Sequence, residues 1–309
     1  MIVAAPAASP LGEISHRIAE TIDHSLPAPW SVGLRNLGGA DGVTATNQFE
    51  ARSEPDGTTI LLTSGAAAMA WVMGDLRVQF DVGHWMPVAT LLSGGVVVSG
   101  SAARKRGSGW RLASRESRDM MAPARLGLYL LNCTVSAHLQ TDDPLTALVS
   151  GEADAALLFG AGRGREMARA VENGARAEFS FGVLDSSGHL IRDPVLPEIP
   201  HLLEQVRGMP ASSERDILAR GWQSLAACLR LEAAALLPWL TPPGLVAWWR
   251  DAVTELSQQA VQDPGGAAES DARVTPWRTQ PDQGFGIEAL TLDNEAVLAL
   301  RQWQANSAL

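Results

Sequence analysis

Behind Ser9-Pro10, Ile14, Ile18 and Ile22 recur every fourth residue, and this stripe lies between two short apolar runs, Ile2 to Ala5 and Ser31 to Arg35. The spacing puts the three isoleucines on one helical face, with Ser9 as N-cap and Pro10 at the first helical position. Strand, helix and strand in this order cannot bury their apolar faces separately; they form a βα unit feeding a mainly parallel sheet. The alternation continues. Asn36-Leu37-Gly38-Gly39-Ala40-Asp41-Gly42 is a glycine-rich loop, a helix is expected near Thr44, Pro55-Asp56-Gly57 is a turn, and Thr58 to Thr63 is a β-branched strand ending in Ser64-Gly65.

Val96-Val97-Val98 reads as another buried strand, followed by the Gly-, Ser- and Arg-rich stretch from Ser99 to Gly109, the sharpest composition shift in the chain. A lobe boundary is expected there. A second α/β series follows: Trp110 to Ala113 as a strand, Ala122 to Asn132 as a helix, a helix opened by Asp143-Pro144 and closed by Gly151, and Ala153 to Phe159 as a strand. Pro194 to Gly208 reads as loop with one short helix. Trp222 to Leu229 is expected to carry the chain back, Thr241-Pro242-Pro243 to start a helix through about Gln262, and Asp293 to Gln304 to form the last helix. The chain of 309 residues is long enough for two α/β lobes. The expected division is residues 1–98 with 225–309 in a discontinuous first lobe and 99–224 in the second.

Composition narrows the function classes. Leu229 to Trp249 is the most apolar long stretch, but Arg230, Glu232, Pro238, Pro242 and Pro243 argue against a membrane span. A formal net charge of -10 repels nucleic acid, and the basic cluster Arg104-Lys105-Arg106 lacks interleaved aromatics, so no nucleic-acid partner is expected. Cys133 and Cys228 cannot make a disulfide framework or, alone, a metal site. No metal or cofactor is expected. No basic and apolar leader precedes Ile2, so either an export signal has been removed or the protein stays inside.

Three ordered elements between Asn36 and Ala89 carry a family likeness: Asn36-x-x-Gly39-Ala40-x-Gly42, then Pro55-Asp56-Gly57-Thr58-Thr59-Ile60-Leu61-Leu62, then Phe80-Asp81 with Trp85-Met86-Pro87-Val88-Ala89. They resemble the substrate-binding proteins of tripartite tricarboxylate transporters, the TctC or Bug family. Gly151-Glu152-Ala153-Asp154-Ala155 and Leu196-Pro197-Glu198-Ile199-Pro200 are similar to two later family segments. The resemblance implies the two-lobed type II periplasmic-binding-protein fold, with mainly parallel sheets flanked by helices and a ligand cleft between the lobes. It implies a periplasmic, monomeric, non-enzymatic protein that delivers a small organic anion to membrane permease subunits. A sensory or accessory module of the same fold, presenting its ligand to a signalling partner, is the alternative.

A strand that ends in a glycine-rich loop and enters a helix aims several backbone N–H groups at one spot, where the helix dipole adds positive potential. An acidic chain can thereby bind an acid without lysine. Gly39 and Ala40 allow close approach to the backbone, Asn36 opens the loop, and Thr63 and Ser64 offer hydroxyls. The Asn36 loop also fits a tight turn needing positive φ, and Ser64 an N-cap. The first loop departs from the family's Gly-Gly pair: here Ser9-Pro10 stands in its place, with Glu13 and Arg17 following. Ser9 supplies a hydroxyl in place of the amide that proline lacks, while Glu13 reads either as a partner for a ligand amine or hydroxyl or as a first-turn acid. In the second lobe Ser114-Arg115-Glu116-Ser117 falls at the family's ligand loop. Arg115 is the candidate guanidinium for a carboxylate or a solvated surface arginine; Asp142 and Asp143 precede a helix, where Asp143 is expected to cap. The rival enzymatic reading would need Cys133 and His138 with Asp142, a spacing that matches no catalytic signature.

Overall fold

The computed structural model describes residues 1–25, 29, 31–101, 103, 109–210, 212–262, 278–279, 286–290 and 294–306. The basic cluster at 104–106, Trp30 and most of the stretch from 263 to 293 lie outside the described residues. The chain divides into two compact units, Met1–Leu92 with Leu231–Thr291, and Ser93–Arg230 with Leu292–Leu309.

Along the first unit run β1 (Ile2–Val3), α1 (Pro10–Ser25), β2 (Arg35–Asn36), α2 (Val43–Arg52), β3 (Leu61–Thr63), α3 (Gly65–Met73) and β4 (Met86–Leu92). The second unit holds β5 (Gly95–Ser99), β6 (Trp110–Ser114), α4 (Ala122–Leu130), β7 (Val135–Gln140), α5 (Pro144–Val149), β8 (Ala155–Phe159), α6 (Arg163–Glu172) and β9 (Arg176–Ser180). It continues through the hairpin β10 (Val183–Leu184) and β11 (Leu190–Ile191), then α7 (Leu202–Arg207) and α8 (Ser213–Arg230). The chain re-enters the first unit with β12 (Leu231–Leu237) and α9 (Pro243–Gln262), and α10 (Asn294–Asn306) belongs to the second.

Both sheets have five strands and the same plan. The first is ordered β2-β1-β3-β12-β4, with β1 parallel to β2 and β3 and β12 antiparallel to β3 and β4. The second is ordered β7-β6-β8-β5-β9, with β6 parallel to β7 and β8 and β5 antiparallel to β8 and β9. In each, three adjacent parallel strands end on the same edge, so the loops after them are neighbours. The first core follows strand alternation: Ala233, Ala235 and Leu237 of β12 cluster with Val3, Leu62 and Val88, under Leu11 and Ile22 of α1 and Val246 and Trp249 of α9.

Three expectations change. Trp222 to Leu229 is helical, part of α8, and the returning strand is Leu231–Leu237. Leu218, Trp222, Leu225 and Leu229 are all buried, and that spacing is one helical face; Trp222 Nε1 donates to the Pro123 carbonyl at 2.9 Å. The units also change at Leu92/Ser93 and Arg230/Leu231 rather than near Ser99 and 225, where the Ser93 amide donates to the Arg230 carbonyl at 2.9 Å. Finally, α10 sits in the second unit because Gly221 of α8 leaves room for Leu300: a Cβ on Gly221 would lie 2.6 Å from Leu300 Cγ. Arg220 and Glu295 pair across the same two helices at 2.5 Å.

Candidate functional site

In the first unit the loops after β1, β2 and β3 meet. The Leu37 amide donates to the Val3 carbonyl and the Ala4 amide to the Leu62 carbonyl, both at 2.9 Å. Asn36 Nδ2 reaches across to the Ala5 carbonyl at 3.3 Å, so this candidate ties two loops together. Asp41 and Gly42 are consecutive left-handed residues, φ 59° and 71°, which turns the chain into α2. Gly42 is forced by proximity as well as by φ: a Cβ there would lie 3.2 Å from Ala4 Cβ and 3.4 Å from Thr63 Oγ1. Ala4 just after β1, Gly42 just before α2 and Thr63 at the end of β3 therefore form the floor of the junction. Gly39 lies alongside Thr44 at the start of α2, and Ala40 begins the turn that holds Asp41.

Thr63 is fully buried, and among the described residues its hydroxyl has no hydrogen-bond partner. A buried hydroxyl left this way costs roughly 1–3 kcal/mol. Beside it Ser64 caps α3, its Oγ accepting from the Ala66 amide at 3.4 Å. The first turn of α3 carries no acid, leaving the positive end of the helix unopposed there.

Ser9 is less available. Its Oγ donates to the Pro6 carbonyl at 2.6 Å and accepts from the Gly12 amide at 3.1 Å, the work of an N-cap. Gly12 fits only because it lacks a side chain, since a Cβ would come within 2.3 Å of the Ala7 carbonyl oxygen. Glu13 is exposed on the first turn of α1.

In the second unit Ser114 closes β6, its buried Oγ accepting from the Glu116 amide at 2.9 Å. Arg115 is held by its own chain: Nε donates to the Asp142 carbonyl at 2.8 Å and Nη2 to Glu166 Oε1 at 2.5 Å. The bond from Glu166 is the main reason the guanidinium is held above its ordinary pKa. Asp142 is exposed, and Asp143 caps α5 by accepting from the Thr146 amide at 3.0 Å. Ser117 Oγ and Glu166 Oε2 are buried without partners among the described residues. Glu166 was not singled out in the sequence; its place, an acid in the first turn after Gly160-Ala161-Gly162, marks it as a helix-start residue at the end of β8.

No protein-family model matches the chain, and no curated protein matches it. Solved structures do. A TctC solute-binding protein from Polaromonas superposes with a TM-score of 0.65 at 14% identity, covering 98% of this chain and 96% of that one. The chain has the fold of the TctC solute-binding proteins. The R. palustris protein Rpa4515 with adipate follows at TM-score 0.55 and 13% identity, over 99% of this chain and 96% of that one. MatC from Rhodopseudomonas palustris with bound malate gives 0.54 and 16%, over 100% and 98%. At these identities the fold is what is shared, and the site chemistry rests on the residues above.

Within this TctC-like fold Cys133 and His138 do not form a nucleophile pair. Cys133 precedes β7 and His138 is its fourth residue, so the three steps from Val135 to His138 alone span about 10 Å. Burial raises the Cys133 thiol and lowers the His138 imidazole, opposing a thiolate–imidazolium couple. Among the described residues no cluster of three or more His, Cys, Asp or Glu is placed to hold a metal, and no helix is long and apolar enough to cross a membrane.

Proposed function

We propose that the chain is a periplasmic, monomeric solute-binding protein that captures a small organic acid without a cofactor and delivers it to the membrane subunits of a tripartite tricarboxylate-type transporter. The observation that carries this reading is the junction of Ala4, Gly42 and Thr63, where a partnerless buried hydroxyl adjoins the amide-rich start of α3. These are donors without a formal charge. They suit a carboxylate oxygen and explain how a chain of net charge -10 tolerates an acid. Thr63, Ser64, Gly39, Ala40 and Asn36 form the carboxylate-receiving set; Ser114, Ser117 and Asp142 are the polar groups of the second unit, and Ser9 and Glu13 flank the first loop. The malate of MatC and the adipate of Rpa4515 favour a carboxylate as the ligand class.

A thermal-shift screen tests this. Mono-, di- and aromatic carboxylates are compared with amides, sugars and amines; a ligand at a hundred times its dissociation constant stabilises the native state by about 2.7 kcal/mol. At least one carboxylate raises the melting temperature, and Ser64→Ala shrinks the rise. Stabilisation by cations or neutral sugars alone overturns the proposal.

A further inference from the structure

We infer that the second unit carries an additional binding site, lined by none of the candidate loop residues, for a small aromatic carboxylate. A groove of about 950 Å³ runs between α4, the start of β7, the start of α8 and α10; Tyr129, Ile217, Leu218 and Trp303 are among its walls. It shares Arg125, Val135 and Ser136 with a smaller cavity of about 230 Å³, whose remaining lining includes Arg118 and His138. The two cavities thus place an apolar, aromatic slot beside a basic corner.

The slot is shaped for a ring. Arg125 lies over the Trp303 indole at 5.7 Å from its centroid, and the Tyr129 ring is tilted against the same indole at 6.4 Å. The corner is shaped for negative charge. Arg118 and Arg125 face the His138 side, and each weakens the proton affinity of His138 after burial has done so first; Arg118 does the same to Arg125. Asp119 acts on Arg125 in the opposite sense, and Glu214 stands at the groove's other wall, in the first turn of α8. Like charges gathered around a cavity, in a chain that is acidic overall, are relieved by an anion between them. His138 Nε2 and Trp303 Nε1 are both buried without partners among the described residues. One carboxylate joined directly to one ring spans the slot and the corner.

Benzoate is the probe, with benzamide and acetate as the uncharged and ringless controls. The full chain is labelled with 5-fluorotryptophan, and the Trp303 fluorine resonance is assigned by its loss in Trp303→Phe. Benzoate is expected to move that resonance saturably, with benzamide and acetate at least tenfold weaker. Arg118→Ala, at an exposed position, and Arg125→Gln are each expected to raise the benzoate midpoint at least tenfold, and Thr63→Val to leave it unchanged. A Trp303 resonance that does not respond to benzoate overturns the inference, as does a midpoint unaffected by both arginine substitutions or one that moves with Thr63→Val.

Discussion

Arg163 and Asp193 form a buried two-point ion pair, Nε to Oδ2 at 2.5 Å and Nη2 to Oδ1 at 2.9 Å, pressed against the bare backbone of Gly94. Asp193 Oδ1 also accepts from the Val195 amide at 2.9 Å. Gly94 is the second residue of the second unit, so the pair braces the chain where it enters that unit. Asp193→Ala leaves a buried guanidinium uncompensated and is expected to cost about 3–5 kcal/mol in urea unfolding. Gly94→Ala is expected to be damaging as well, because its Cβ would lie 2.3 Å from Asp193 Oδ2.

Thr63 yields a sharper test of the binding junction. Thr63→Val removes a buried hydroxyl that has no partner while keeping its shape, so the ligand-free protein is expected to gain about 1 kcal/mol. The same variant is expected to lose most of the carboxylate-induced rise in melting temperature. A hydroxyl serving only the fold gives the reverse: lower stability and an unchanged ligand shift.

Glu166 holds Arg115. Glu166→Gln weakens that hold and frees the guanidinium for an external anion, so affinity for dicarboxylates is expected to rise about tenfold relative to monocarboxylates in calorimetric titration. Equal changes for both classes remove Arg115 from the ligand site.

Burial, followed by Arg125 and Arg118, lowers the folded-state pKa of His138; burial also leads the lowering at His201. The unfolded chain takes up these protons near pH 6.5 while the folded chain resists them, so the sign is fixed: stability is intact above about pH 6.5 and falls as pH drops below it. His138→Gln is expected to flatten part of the decline between pH 7 and 5 in denaturant titrations. The carboxylates with lowered pKa values, Asp56, Asp75, Asp143, Asp185 and Glu204, lose their contribution at more acidic pH and leave this window distinct.

What the sequence makes legible is local. The isoleucine spacing behind Ser9-Pro10 places α1, the β-branched run to Thr63 places β3, and Ser64 before Gly65 places the start of α3. Gly42 is readable as a turn glycine, but its contact with Ala4 and Thr63 requires three loops far apart in the chain to be brought together. The ion pair of Arg115 is hidden for the same reason, since Glu166 lies 51 residues downstream and local pattern cannot choose it as the partner. Trp222 to Leu229 fails differently. Its helical period is present, but the neighbouring apolar run from Leu231 hides where the helix ends and the strand begins.

The central place of β12 has a consequence for synthesis. Among the described strands β4 joins its sheet through β12, and β12 is encoded after the whole of the second unit except its last helix. A nascent chain that has emerged as far as Arg230 therefore holds β2, β1 and β3 as a partial sheet with β4 unattached, while the strands of the second sheet are already complete. Two backbone edges stay open until seven residues, Leu231–Leu237, arrive to close them. The N-terminal third of this protein is finished by its C-terminal quarter, so a nascent chain halted with Arg230 just emerged would present an aggregation-prone intermediate, not a folded domain.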